Sequence, residues 1–187
     1  MASTTTAPSF SGRFDFNAGG SGTFDRPRYD VRGTISGEIA LVAPSASFFV
    51  GKGLIAKVVS RKAQLPPLEG SGERLWKGKT VILTDDATGG AAEVFAAALH
   101  DRAEAMTVGE ATVGMAIIQR LVPTESGGTL YMTVGRYVSP SGSMVGGKGL
   151  IPDDRVIVFP GEGEAKDPIL NRGLELVRGS EKSRRAA

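Results

Sequence analysis

Short apolar strands alternate with helical segments along this chain, and that alternation constrains the fold more than any other feature of the sequence. A buried-type strand is predicted at residues 80–84 (TVILT), and an Ala-rich helix at residues 90–101 (GAAEVFAAALHD). Further strands are predicted at residues 54–60, 105–108, 116–122, 129–137 and 155–159, and a Pro/Gly loop at residues 64–78. Helices are expected at residues 38–50, with Pro44 marking a kink or a late start, and at residues 169–177. This order predicts an α/β fold, a twisted sheet with flanking helices.

Composition excludes several classes of function. The 187 residues amount to one domain. The chain has no cysteine, which excludes disulfides, cysteine–zinc sites, iron–sulfur clusters and thiol catalysis, and its single histidine excludes a His-rich metal site. A net charge of +2 is too small to favour nucleic-acid binding by bulk electrostatics. No apolar run approaches the roughly 20 residues of a membrane span. We therefore expect no cofactor, no metal, no nucleic acid and no transmembrane segment.

One glycine-rich segment matches most of a phosphate-binding loop. Residues 142–149 read GSMVGGKG, but Gly149 stands where that motif requires Ser or Thr, and Pro152 follows. A phosphate-binding loop must open a helix, which this proline disfavours. We therefore interpret the segment as a turn between two strands.

The candidate acids and the lone histidine also fit structural roles. His100 lies near the end of the predicted Ala-rich helix, where a surface or capping role is expected. The acidic pairs at residues 85–86 and 153–154 flank strands, and adjacent residues on a strand face opposite ways. They are therefore poor candidates for a shared-proton dyad, and we expect turn or cap roles for them.

Several stretches resemble the C-terminal processing peptidases, also called tail-specific proteases. TVGRYVSPSG at residues 133–142 and KGLIPD at residues 148–153 are similar to that family's LTVARYYTPSG and KGIxPD. DVRGTISG at residues 30–37 resembles its DLRxNPGG turn, and DPILNRGLELV at residues 167–177 resembles its DPQLxxALELL. The resemblance covers about residues 30–177 and implies a crotonase-like peptidase core. Residues 1–29 are too few to match the family's PDZ domain.

The resemblance also implies where a catalytic dyad would stand. In this family a serine attacks the peptide carbonyl and a lysine takes its proton, while backbone N–H groups stabilise the oxyanion. The nucleophile precedes a glutamate by three residues, so Glu93 marks that position as Gly90. The lysine follows VGExxxG, which reads VGEATVG here and marks Met115. Glycine has no side chain and a thioether is no proton acceptor, so neither residue can perform its family role.

Other parts of the catalytic machinery persist or have substitutes. The oxyanion turn keeps Gly33 and Gly37, with Ser36 at a family glycine. The candidate replacements for the nucleophile are Thr88, on the same strand-to-helix turn as Gly90, and Ser36. The remaining candidate bases are His100, Asp85, Asp86 and Asp101, of which Asp101 matches a family position near the active site.

Three functions stay open on this evidence. The favoured one is a catalytically inactive homologue, a pseudoprotease, that acts as a binding or structural subunit of a larger assembly. The second is a serine-type peptidase or other hydrolase with a rearranged nucleophile and base, and the third is an active peptidase whose dyad lies elsewhere. For the first, Met115 is expected to be buried against Val94, filling the pocket of the family lysine. By this resemblance, the protein would be located in a plastid, associated with thylakoids, or in a bacterial periplasm.

The two ends of the chain differ in composition from the core at residues 30–177. Residues 1–29 are rich in Gly, Ser and Thr and are predicted to form an extended arm held by a protein partner. Residues 178–187 are predicted to be a solvated basic tail, in which Arg184 and Arg185 would meet an acidic surface. The expected anchors of the arm are its aromatic residues Phe10, Phe14, Phe16 and Phe24.

Overall fold

The computed structural model of the chain describes residues 39–61, 65–125, 127–158 and 167–185. Over these residues the chain is a mixed assembly of helices and strands, and the predicted α/β class is confirmed. The elements in chain order are α1 (Ile39–Val50), β1 (Gly53–Val59), β2 (Leu68–Gly70), β3 (Val81–Thr84), α2 (Ala91–Ala103), β4 (Met106–Gly109), β5 (Ile117–Pro123), β6 (Thr129–Val138), β7 (Asp154–Arg155) and α3 (Pro168–Arg185).

Several predictions fall on other parts of the chain. The arm with its four phenylalanines and the oxyanion turn with Gly33, Ser36 and Gly37 lie outside the described residues.

The strands of the described chain form two sheets where the sequence suggested one. Four strands make an antiparallel sheet in the order β2-β1-β6-β5, and three make a parallel sheet in the order β3-β4-β7. In the parallel sheet Thr84 pairs with Gly109 at the ends of β3 and β4. Helix α2 connects these two strands, as a parallel pair requires a crossover connection. The antiparallel strands β5 and β6 need only a short turn.

The core lies between helices α1 and α2 and the inner face of the antiparallel sheet. Ala46 of α1 and Ala98 of α2 are fully buried, and the two helices pack through such small side chains. Ile55 from β1 and Leu99 from α2 are the largest of the fully buried apolar residues. At the edge of this layer Phe49 and Phe95 meet edge to face, with ring centroids 5.8 Å apart. The Ala-rich sequence of α2 is thus explained by close helix packing.

Helix α3 is longer than predicted. It continues to Arg185, past the expected end at Val177, so the helical conformation extends into the residues that the sequence predicted as a basic tail. Its start is set by Asp167, whose carboxylate accepts the Leu170 N–H at 2.9 Å. No proline follows Pro168, and a glycine such as Gly179 costs only about 1 kcal/mol in a helix. The sequence therefore contains no strong helix terminator before residue 185.

Smaller differences concern the other elements. Helix α1 begins at Ile39 and runs through Pro44, so there is no late start. The predicted loop at residues 64–78 contains the short strand β2, which pairs with β1. Strand β7 spans only Asp154 and Arg155, because it pairs with β4 at just those two positions.

Candidate peptidase-like site

The candidate site lies where strands β3 and β4 end. Parallel strands bring their carboxyl ends to the same edge of a sheet, so the loops that follow them are neighbours. Two hydrogen bonds join the beginnings of these loops: the Thr84 hydroxyl donates to the Glu110 carbonyl at 2.8 Å, and the Glu110 N–H donates to the Thr84 carbonyl at 2.9 Å. Further along, the Val113 N–H donates to the Thr88 carbonyl at 2.9 Å. The turn 85–90 and the loop 110–116 are therefore held side by side.

The turn after β3 is closed by Asp85 and Thr88. The Thr88 hydroxyl donates to the Asp85 carboxylate at 2.6 Å and accepts the Asp85 N–H at 3.1 Å. The Thr88 N–H donates to the Asp85 carbonyl at 3.1 Å. These contacts satisfy the turn locally, and Asp85 has the turn role expected from the sequence.

Gly90 lies at the tip of this turn and is the N-cap of α2. Its φ of 62° and ψ of −121° are strained for any residue with a Cβ, and glycine adopts them without that cost. The Gly90 N–H donates to the Glu93 carboxylate at 2.9 Å. Gly90, which the motif spacing predicts at the family's nucleophile position, thus lies on a sharp strand-to-helix turn, with its backbone N–H held by the first turn of the helix.

Glu93 connects three segments of the site. Its side chain is fully buried. One carboxylate oxygen accepts the Gly90 N–H, and the other accepts the Gly114 N–H at 2.6 Å and the Thr112 hydroxyl. All three partners are donors, as a carboxylate requires. We call Glu93 and its three donors the Glu93 clamp.

Thr112 extends the clamp to the glycine-rich loop before β7. Its hydroxyl oxygen accepts the Leu150 N–H at 2.8 Å, which leaves the hydroxyl proton free to bond Glu93. The Thr112 N–H donates to the Leu150 carbonyl at 3.1 Å, and the Gly147 N–H donates to the Gly114 carbonyl at 2.7 Å. Residues 142–149 therefore form turns that pack on the loop 110–116, which carries Met115. This agrees with the interpretation of the glycine-rich segment as a turn and not a phosphate-binding loop.

The prediction that Met115 is buried was wrong. Its side chain is 48% exposed, while Val94 is buried in the core. In this loop Thr112, Gly114 and Ala116 are buried, whereas Val113 and Met115 between them are exposed. Met115 nevertheless lies beside the nucleophile turn, since a Cβ placed on Gly89 would be 3.6 Å from the Met115 Cβ.

The structure does not bring Thr88, the candidate nucleophile, close to Asp101, the candidate base. Thr88 precedes α2, and Asp101 lies near the other end of that helix, about 16 Å further along at 1.5 Å per residue. The Asp101 carboxylate accepts the Ser141 N–H at 2.7 Å. Partial burial raises the pKa of Asp101, but hydrogen bonds from Ser139, Ser141 and His100 outweigh it and hold the pKa below its ordinary value. Asp101 therefore anchors the Ser-rich turn after β6.

Sequence reasoning used Glu93 only as a marker and missed Thr112 altogether. One pattern points to Glu93: it is the acidic residue of the first turn in a helix whose other buried positions are apolar. A buried acid among alanines and a valine must have hydrogen-bond donors from elsewhere in the fold. No comparable pattern singles out Thr112, because its partners come from residues 19 and 38 positions away.

The described residues contain neither a metal-binding cluster nor a membrane-spanning helix. Among the described residues, no three histidine or acidic side chains converge in a way that could hold a metal ion. None of the described helices is long and apolar enough to cross a bilayer.

Comparison with known sequences identifies the family. The sequence profile of peptidase family S41 matches residues 29–156, which include both the Gly90 turn and the Met115 loop. The chain belongs to peptidase family S41. This confirms the resemblance to C-terminal processing peptidases.

Individual S41 proteins show the same relationship. The chain is 30% identical to the carboxyl-terminal-processing protease of Picosynechococcus over 132 residues, which is 71% of this chain and 32% of that protein. It is also 30% identical to the carboxy-terminal processing protease CtpA of Bacillus subtilis over 124 residues, 66% of this chain and 27% of that protein. Among solved structures, the photosystem II D1 C-terminal processing protease superimposes with a TM-score of 0.56 at 26% identity, over 63% of this chain and 31% of that one. The chain thus spans about a third of the length of these S41 relatives.

Proposed function

We propose that this chain is a catalytically inactive member of family S41 that acts as a binding or structural subunit of a larger assembly. One observation carries the proposal: at the tip of the turn where the family motif has its nucleophile there is Gly90, and on the adjoining loop where it has its lysine there is Met115. A Ser–Lys mechanism needs a nucleophilic oxygen and a base within hydrogen-bond reach. Gly90 offers no atom to attack with and Met115 offers no useful proton acceptor.

The hydrogen bonds of the site support the proposal that the chain keeps the peptidase fold and lacks the catalytic groups. The Glu93 clamp keeps the Gly90 turn and the loop 112–114 in contact through a buried carboxylate. A buried, fully bonded carboxylate stabilises the arrangement of the segments around it. Its two oxygens accept three hydrogen bonds from within the site, and its side chain is fully buried.

A second candidate function, a hydrolase with a rearranged nucleophile, rests on Thr88. Its hydroxyl is 2.6 Å from the Asp85 carboxylate, the separation expected for a hydroxyl and its base. The same contact closes the turn, because the Asp85 N–H also bonds the Thr88 hydroxyl. We favour the turn role, and an assay of peptide cleavage by the unmodified chain tests the other.

The surface of the β5–β6 hairpin supports a role in protein binding. Successive cross-strand pairs alternate between its two faces, and both faces are apolar: Leu121 pairs with Tyr131, and Val122 with Leu130. All four side chains are exposed, with Leu121 at 69% and Tyr131 at 60%. Exposed clusters of large apolar side chains are typical of protein contact surfaces.

Peptidase activity is the first test. The purified chain is incubated with an unstructured peptide ending in apolar residues, beside the Picosynechococcus protease as positive control, and cleavage is followed by mass spectrometry. We expect cleavage by the control only. Cleavage by this chain that disappears in Thr88→Val would establish the second candidate function and overturn the proposal.

A paired rescue tests the placement of the dyad. Gly90→Ser with Met115→Lys introduces a hydroxyl and an amine, and Gly90→Ala with Met115→Lys imposes the same backbone strain without the hydroxyl. We expect slow cleavage by the serine variant and none by its alanine counterpart. Equal, measurable cleavage by both variants would show that Gly90 does not stand at the nucleophile position, whereas no cleavage by either would not decide the question.

The mass of the native protein in solution tests whether the chain is a subunit of a larger assembly. The endogenous protein is measured by native gel or mass photometry with and without Leu121→Ser and Tyr131→Ser. We expect a species well above the 19.5 kDa of the chain, and a lower mass for the hairpin variant. An endogenous species of monomer mass would contradict the assembly proposal.

A further inference from the structure

His100 lies between two carboxylates that come from different parts of the chain. Its Nδ1 is 3.2 Å from Asp101 Oδ1 on the same helix, and its Nε2 is 3.2 Å from Asp153 Oδ1 in the segment that leads into β7. A neutral imidazole has one N–H and one lone pair, so it can satisfy only one carboxylate. Only the imidazolium donates to both. The geometry therefore favours the protonated histidine.

The two carboxylates are otherwise engaged with neutral donors. The second oxygen of Asp153 accepts both the N–H and the hydroxyl of Thr107 in β4, each at 2.8 Å. Asp101 binds the serines of the turn after β6, as described above. Asp154, the next acid along the chain, bonds Arg172 of α3 at 2.7 Å. Within the described part of the chain, the charged groups that face His100 are Asp101 and Asp153.

We propose that His100 is a pH-dependent link, which joins the end of α2 to the segment carrying Asp153 when protonated and releases one of the two carboxylates when it loses its proton. The segment that carries Asp153 is connected to the candidate site. Asp153 follows Leu150 by three residues, and Leu150 exchanges two hydrogen bonds with Thr112 of the Glu93 clamp. When the released carboxylate is that of Asp153, the segment that supports the loop 112–116 loses its contact with α2 and is held to β4 by the Thr107 hydrogen bonds alone.

The direction of the pKa shift of His100 agrees with this geometry. Partial burial lowers the pKa of His100, but the hydrogen bonds and charges of Asp101 and Asp153 outweigh it and raise the pKa above its ordinary value of about 6.5. A raised pKa in the folded state means that the contribution to stability is complete below about pH 6.5 and is lost as pH rises through the folded-state pKa.

The test uses the fact that the chain has one histidine. In the full chain without a histidine tag, the imidazole nitrogens are titrated by ¹H–¹⁵N NMR, both in the folded state and in concentrated urea. We expect a higher midpoint in the folded state. We also expect Asp153→Asn to lower the midpoint and the exposed control Asp86→Asn to leave it unchanged. A folded-state midpoint at or below that in urea would overturn the proposal, as would equal midpoints in the two variants.

A second measurement covers the case in which Asp153→Asn fails to fold. The protection of amides against hydrogen exchange is compared on the two sides of the midpoint, in the wild type and in His100→Gln. We expect protection at Leu150 to fall several-fold above the midpoint in the wild type and to be independent of pH in His100→Gln. Val108, inside the parallel sheet, is the internal control. The same protection at Leu150 on both sides of the midpoint would contradict the release step.

Discussion

Replacing the buried carboxylate of Glu93 by an amide should destabilise the fold markedly. Glu93→Gln keeps one oxygen, which can still accept from Thr112 and Gly114, but it places an NH₂ group opposite the Gly90 N–H, 2.9 Å from the present acceptor. One hydrogen bond to a charged group is lost, worth about 1.5–3 kcal/mol, and buried donors are left unpaired at about 1–3 kcal/mol. Removing a buried charge returns part of this cost. We expect a net loss of about 2–4 kcal/mol in the free energy of unfolding.

The assay is equilibrium unfolding in urea, followed by the fluorescence of Trp76. This is the single tryptophan of the chain, and its indole N–H bonds Thr80 next to β3, close to the sheet that carries the site. The midpoint should fall without a change in slope, and the melting temperature by roughly 5–15 °C. Glu104→Gln makes the same chemical change at an exposed position of the C-terminal end of α2 and should cost less than about 0.5 kcal/mol.

A double-mutant cycle identifies the clamp as the cause. Glu93→Gln combined with Thr112→Val should show a coupling of about 0.5–3 kcal/mol, since both changes remove parts of the same network. If Glu93→Gln costs no more than Glu104→Gln, the carboxylate does not stabilise the site and the reasoning is refuted. A full cost with no coupling would show that Thr112 is not part of the same network.

The other predictions concern exposure and backbone conformation. Met115→Lys should change the free energy of unfolding by less than about 0.5 kcal/mol, because the side chain is half exposed; a loss above about 2 kcal/mol in urea unfolding would indicate that it is buried in solution. Glu104→Gly should raise the free energy of unfolding by about 0.5–1 kcal/mol. Glu104 ends α2 with a φ of 54°, a left-handed conformation that glycine adopts without strain. A lower melting temperature for Glu104→Gly would contradict this account.

Much of the fold follows from local patterns that are visible in the sequence. The strand at residues 80–84 and the helix at residues 90–101 correspond closely to β3 and α2, because their apolar residues recur with the period of each element. The family assignment was equally accessible, since it depends on short motifs of consecutive residues. The proposed placement of Gly90 and Met115 at the dyad positions rests on motif spacing alone and stays a prediction. These inferences need only residues that are close together along the chain.

Tertiary structure decided what each of these residues contacts. The division into two sheets depends on pairing between distant strands, such as β1 with β6. Met115 is exposed, although Gly114 and Ala116 on either side of it are buried. The link between His100 and Asp153 spans 53 positions. No periodicity in the sequence encodes such contacts, because they arise only when separate elements pack and bring their side chains within hydrogen-bond distance.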